Sequence, residues 1–168
     1  MSKKDKKKKK SNKDIYLASD HGGFELKEKL KKELNKKGFI VEDKGPKKFN
    51  KKDDYPDYIK KVGKAVSLNK NSVGIVLGYS GQGEAIVANK FPGVRACVYC
   101  GSLNLSKSIR LMRQHNNSNV LSIGAGFVNE QKARKAVELF LETKFENEKR
   151  HKRRINKINQ IENKNFKK

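Results

Sequence analysis

The stretch GIVLGYSGQGEAIVANK, residues 74–90, constrains the fold more than any other part of the chain. Residues 73–77 are aliphatic, show no polar alternation and are bounded by glycine, which is the pattern of a strand covered on both faces. Residues 84–91 have helical composition and open at Gly83. A buried strand that passes through a glycine turn directly into a helix belongs to a parallel sheet sandwiched between helices. The turn, residues 80–83, then joins a strand C-terminus to a helix N-terminus. Free backbone N–H groups and the helix dipole favour negative charge there, and glycines admit a close approach. The expected occupant carries or develops an anion.

The better-known templates do not fit. The turn lacks the Gly-Lys-Ser/Thr ending of a phosphate-binding P-loop, and Gly78, Gly81 and Gly83 are not spaced as in the dinucleotide fingerprint. Gln82 stands where a nucleophile elbow around Ser80 needs its second glycine. Nucleotide binding and serine hydrolysis are therefore weak readings of this turn.

The rest of the chain alternates in the same way. Strands are predicted over residues 15–19, 39–43, 95–99 and 120–123, and helices over 24–37, 57–68, 103–113 and 130–141, with Gly38 stopping the first helix and Pro56 preceding the second. Together with the central strand this gives five parallel strands. A last charged helix, about residues 147–162, carries Ile155, Ile158 and Ile161 and calls for an apolar partner, for which a second subunit is the candidate. The 168 residues suffice for one core, so the reading is one domain over 14–163, preceded by a disordered lysine-rich tail over 1–13 and followed by a basic tail over 164–168.

Charge is concentrated at the ends. Of a net +23, residues 1–13 hold eight lysines against one acid, and residues 144–168 hold ten basic side chains against three acidic ones. Such tails attract polyanions weakly and without sequence preference, and the first has no aromatic side chain on which a base could stack. No run approaches the roughly 18 apolar residues of a membrane span. The lysine-rich start lacks an apolar follow-on, so no secretory signal is visible, no membrane partner is expected and a cytoplasmic location follows. Cys97 and Cys100 form a lone C-x-x-C on a predicted strand, where residues three apart face opposite ways, and no second ligand pair exists at metal spacing.

In a parallel α/β sheet, ligands bind at the C-terminal ends of the strands. The polar residues there are Asp20 and His21, Tyr55, the turn from Ser80 to Glu84, and Ser102. His115 and Asn116, at a helix end, and the cluster Arg150, His151, Arg153 and Arg154 are the remaining polar groups of note. All of these except Ser102 lie in five motifs: SDHGGFELK at 19–27, DDYPDY at 53–58, GYSGQGEAIVANK at 78–90 with FPGVRA after it, RQHNNSNVLSIGA at 113–125 and RHKRRI at 150–155.

In this order and spacing, the motifs resemble the ribose 5-phosphate isomerase B family, which also includes galactose 6-phosphate and allose 6-phosphate isomerases. The resemblance spans about residues 14–162. It implies a five-stranded parallel sheet in a three-layer α/β/α sandwich of Rossmann-like type, a homodimer or tetramer with sites shared between subunits, a phosphorylated sugar as substrate, and neither metal nor organic cofactor. One branch of the family uses a cysteine where this chain has Gly78, and the other a glutamate matching Glu84. Gly78 has no proton to exchange, so Glu84 is the expected base.

Moving a carbonyl between C1 and C2 of an aldose requires removal of a weakly acidic C–H proton, and preorganised N–H groups lower the barrier by holding the enediolate oxygen. The expected division of labour gives Glu84 the proton transfer, the amides around Gly81 and Gly83 the enediolate, and the Ser80 hydroxyl the proton movement between oxygens. By the resemblance, His115 with Asp20 opens the sugar ring, Tyr55 and Asn116 bind hydroxyls, and His21, Arg150 and Arg154 bind phosphate. Tyr79 stands where the family usually has glycine, and Gly126 where many members have arginine. A six-carbon sugar phosphate is the nearest alternative substrate. A non-catalytic polyanion-binding module on the same fold is the rival from another class, and the set of Asp20, Glu84 and His115 argues against it.

Overall fold

The computed structural model describes residues 14–166; the lysine-rich segment at 1–13 and the last two residues lie outside the described part. Five strands, β1 (Ile15–Ser19), β2 (Val41–Asp43), β3 (Val73–Gly78), β4 (Ala96–Tyr99) and β5 (Val120–Gly124), form one all-parallel sheet in the order β2-β1-β3-β5-β4. The helices are α1 (Phe24–Lys36), α2 (Tyr55–Leu68), α3 (Gln82–Ala88), α4 (Leu105–Gln114), α5 (Glu130–Glu142) and α6 (Lys149–Phe166), with a 3₁₀ turn at His21–Gly23.

Side chains alternate across each strand and build two cores. On one face Ile15, Leu17, Ile75, Leu77, Leu121 and Ile123 pack with Leu30 and Leu34 of α1, Ile109 of α4 and Phe140 of α5. On the other, Ala18, Val76 and Val120 meet Ile59, Val62 and Val66 of α2 and Ala88 of α3. The three-layer α/β/α sandwich follows, and β3, buried along its whole length, is its centre.

The boundaries differ from expectation in three places. β2 begins at Val41 and not at 39, because the chain leaving α1 turns through Gly38 (φ +77°) and Phe39 N–H bonds back to Leu34. α3 starts at Gln82 and ends at Ala88, so it is short and enters directly from a left-handed Gly81. The last helix continues to Phe166, into the part expected to be a basic tail. Of its three isoleucines only Ile155 is buried within the chain; Ile158 and Ile161 remain exposed.

The sheet order reverses between β1 and β3, and the loops leaving these two strands diverge there to leave a crevice. The loop after β2 is drawn to the same rim by Lys27. This buried ammonium donates to Asp43 (2.9 Å), to the Pro46 carbonyl (2.9 Å) and to Glu28 (2.6 Å), satisfying its three N–H groups.

Candidate active site

Asp20 and His21 follow β1. The Asp20 carboxylate accepts the Gly23 N–H at 3.2 Å and so fixes the first turn. His21 is held by Asp53, whose Oδ1 accepts both the His21 backbone N–H (3.0 Å) and its ring Nδ1 (2.7 Å). That hydrogen bond, with the charges of Asp20 and Asp53, raises the His21 pKa and favours the imidazolium. The other ring nitrogen is left for an anion.

The turn after β3 is pinned from β5. Gly81 takes φ +77°, and a Cβ there would stand 2.9 Å from the Ile123 carbonyl carbon and 3.0 Å from the Gly124 nitrogen, so glycine is required by both conformation and space. Its carbonyl accepts the Ser122 hydroxyl at 2.5 Å. The Ser80 hydroxyl oxygen accepts the Gln82 N–H at 3.3 Å. Tyr55, the first residue of α2, lays its ring on Gly83, where an added Cβ would lie 2.8 Å from Cζ.

Glu84 lies 4% exposed beneath this turn. Burial raises its pKa, the negative charge of Asp20 adds to the rise, and a hydrogen bond from its own backbone N–H opposes it. Its carboxyl group occupies the space above Gly78. A Cβ at position 78 would fall 1.7 Å from Glu84 Oε1 and 2.2 Å from Cδ. A side chain at the end of β3 and this placement of Glu84 exclude each other.

Asp20, His21, Tyr55, Ser80, Gly81, Gly83 and Glu84 are thus brought together at the β1/β3 crevice. The other expected site residues are not. His115 and Asn116 cap the far end of α4, which runs back toward the N-terminal edge of the sheet. The Asn119 carbonyl just beyond them accepts the N–H of Gly74, at the start of β3, whereas Gly78 is at its end. Four residues of strand separate the two levels by about 13 Å.

At this second edge the His115 ring stacks on His151 of α6, with centroids 4.3 Å apart and planes inclined by 17°. His151 is 2% exposed, and its Nε2 has no hydrogen-bond partner. Burial, and then the neighbouring His115 and Arg150, lower its pKa. Arg150 pairs with Glu148 at 2.7 Å, and Arg154 is exposed on the same helix.

Among the described residues, two triads bring possible metal ligands within 4.8 Å of one another: Asp20, His21 and Asp53, and His115, Glu146 and His151. In the first, His21 Nδ1 is already bonded to Asp53. In the second, nearly parallel imidazole planes keep the two in-plane lone pairs from meeting at one ion. Cys97 and Cys100 are free thiols, one on β4 and one just past its end. Sequence reasoning missed the part played by Asp53, although it lies inside a motif already singled out, because nothing local marks it as the partner of His21.

A profile described as ribose/galactose isomerase matches residues 15–158. The chain belongs to this family. Ribose-5-phosphate isomerase B of Mycolicibacterium paratuberculosis is 36% identical over 148 residues, 88% of this chain and 91% of that protein. Among solved structures, ribose-5-phosphate isomerase B from Mycoplasma genitalium, with ribulose-5-phosphate bound, superposes with a TM-score of 0.83 at 39% identity, covering 89% of this chain and 95% of that one. The Clostridium thermocellum ribose-5-phosphate isomerase B gives 0.83 at 38%, over 90% and 98%. The chain is therefore an enzyme of the ribose/galactose isomerase family, and no helix among its described residues is long and apolar enough to cross a membrane.

Proposed function

We propose that the chain interconverts ribose 5-phosphate and ribulose 5-phosphate, with Glu84 as the proton-transfer base. The observation that carries this reading is the buried Glu84 carboxyl group, seated in the space left by Gly78 beside a glycine turn at the β1/β3 crevice. Glu84 takes the proton from C2 and returns it to C1. Negative charge develops on the C1 oxygen and is held by backbone N–H groups around Gly81 and Gly83. The proton of the C2 hydroxyl passes to the C1 oxygen by way of Ser80, which completes the exchange of aldehyde for ketone. Burial raises the affinity of Glu84 for a proton, which suits a group that must accept one from carbon and give it back. The imidazolium of His21 binds the phosphate, and Tyr55 a sugar hydroxyl.

Ring opening by His115 and phosphate binding by Arg150 and Arg154 belong to a second copy of the chain. The distance between the two edges of the sheet, and Ile158, Ile161 and Phe166 left exposed on α6, support a homodimer in which each crevice is completed by the partner's opposite edge. A turnover assay on ribose 5-phosphate with the parent, Glu84→Gln, His115→Ala and a mixture of the two variants tests both parts. Each variant alone is expected to lose about 10²-fold or more in kcat. The mixture, after subunit exchange, regains part of the activity because some sites then hold both wild-type residues. A folded Glu84→Gln enzyme with full turnover refutes the base, and a mixture no better than its parents refutes the shared site.

A further inference from the structure

Ser122 is a polar side chain set into an apolar wall. It lies two residues after Val120 on β5 and opposite Val76 of β3, so it faces the core on the side of the sheet covered by α2 and α3, and it is fully buried. A hydroxyl in such a place is costly unless it is bonded, and this one donates to the Gly81 carbonyl at 2.5 Å, across 41 positions of chain. The start of the same turn is tied to the chain leaving β5 by backbone groups: the Ala125 N–H donates to the Gly78 carbonyl and the Gly126 N–H to the Tyr79 carbonyl, both at 2.8 Å. Ser122 adds a side-chain tie farther along the turn.

The direction of one amide follows from this bond. The peptide between Gly81 and Gln82 is trans and planar, so its N–H points opposite to its carbonyl. With the carbonyl held on Ser122, the Gln82 N–H is turned away from β5 toward the Ser80 hydroxyl oxygen, which accepts it at a long 3.3 Å. Gly81 by itself offers little resistance to rotation of this peptide, because glycine has many backbone conformations open to it. The Ala85 N–H also donates to the Gly81 carbonyl, but at 3.2 Å it is the longer of the two bonds. We propose that Ser122 is a positioning residue for the isomerisation: its hydroxyl locks the peptide between Gly81 and Gln82 so that the Gln82 N–H, beside the Ser80 hydroxyl, is aimed at the oxygen on which the enediolate charge develops. The inference rests on the sugar-phosphate reading above and adds to it the group that holds the donor in place before substrate arrives.

The test measures kcat and KM for ribose 5-phosphate and, independently of turnover, the Kd of two probes by calorimetry, with the melting temperature of every variant. One probe is the hydroxamate of 4-phosphoerythronic acid, a planar anion shaped like the enediolate, and the other is inorganic phosphate. Ser122→Ala frees the peptide. It should lower kcat and raise the hydroxamate Kd by about tenfold or more each, while KM and the phosphate Kd stay within about twofold, because only the developing charge meets the Gln82 N–H. Ser122→Thr, which keeps the hydroxyl, should bring kcat and the hydroxamate Kd to within about threefold of the parent. A folded Ser122→Ala protein with kcat and hydroxamate Kd within about twofold of the parent overturns the proposal, and so does a phosphate Kd that rises as much as the hydroxamate Kd, since a merely structural serine would weaken both alike. Should Ser122→Ala fail to fold, Ser122→Cys, which fills the space with a weaker donor, is judged by the same two criteria. If the parent fails to turn over ribose 5-phosphate, the isomerase reading falls, and a loss of hydroxamate binding in Ser122→Ala with phosphate binding intact still upholds the lock.

Discussion

Adding one methyl group at the end of β3 should disable the enzyme without unfolding it. In Gly78→Ala the new Cβ falls 1.7 Å from Glu84 Oε1. Non-bonded heavy atoms settle at about 3.5 Å, so the carboxyl group has to retreat by roughly 2 Å. A misplacement of about 1 Å in a reacting group costs on the order of 10² in rate, so kcat should fall by at least about 10²-fold, or about 2.7 kcal/mol of barrier. The fold should bear the change easily. Gly78 is not at positive φ, the atom displaced is the far end of a flexible side chain, and replacing glycine by alanine at a compatible position stabilises by about 0.4–1 kcal/mol through the unfolded chain. Moving Glu84 toward water also relieves the burial that raises its pKa. The melting temperature should therefore shift by no more than about 4 °C. The assay is ketose formation from ribose 5-phosphate, alongside thermal unfolding. A folded Gly78→Ala enzyme with kcat within threefold of the parent would show that the carboxyl group above Gly78 is not the base.

Asp53→Asn removes the charge that favours the His21 imidazolium, so the His21 pKa measured by NMR titration should fall and KM for the sugar phosphate at neutral pH should rise. Because the folded-state pKa of His21 is raised, this pair stabilises the fold fully below about pH 6.5, the unfolded value, and loses its effect as pH climbs through the folded value. The variant should accordingly lose more stability at pH 6 than at pH 9, and an unmoved His21 titration refutes the pairing. Deleting residues 1–13 should leave kcat and KM within about twofold while weakening retention on heparin, since counterion release scales with the lysines removed; a large fall in turnover would place the segment in the site.

Much of the architecture was legible in the sequence because it is encoded locally. The unbroken aliphatic run of β3 demanded cover on both faces, Gly38 marked the end of α1 and Pro56 the start of α2, and a glycine turn followed by a carboxylate located the crevice and the carboxyl group buried beneath it. Element ends were less legible: α3 opens earlier than its composition suggests because Gly81 enters it from a left-handed conformation pinned by β5. What only the tertiary structure decided are relations between residues far apart in the chain. Asp53 meets His21 across 32 positions because Lys27 ties down the loop between them. Tyr79 meets Gly126 because β3 and β5 are neighbours. His115, grouped with Glu84 by the family resemblance, lies at the opposite edge because α4 must run antiparallel to the strands before β5 can begin. Periodicity and turn chemistry act over a few residues and can be read in order, whereas these contacts depend on strand order and helix direction, which arise when the two cores close on the sheet.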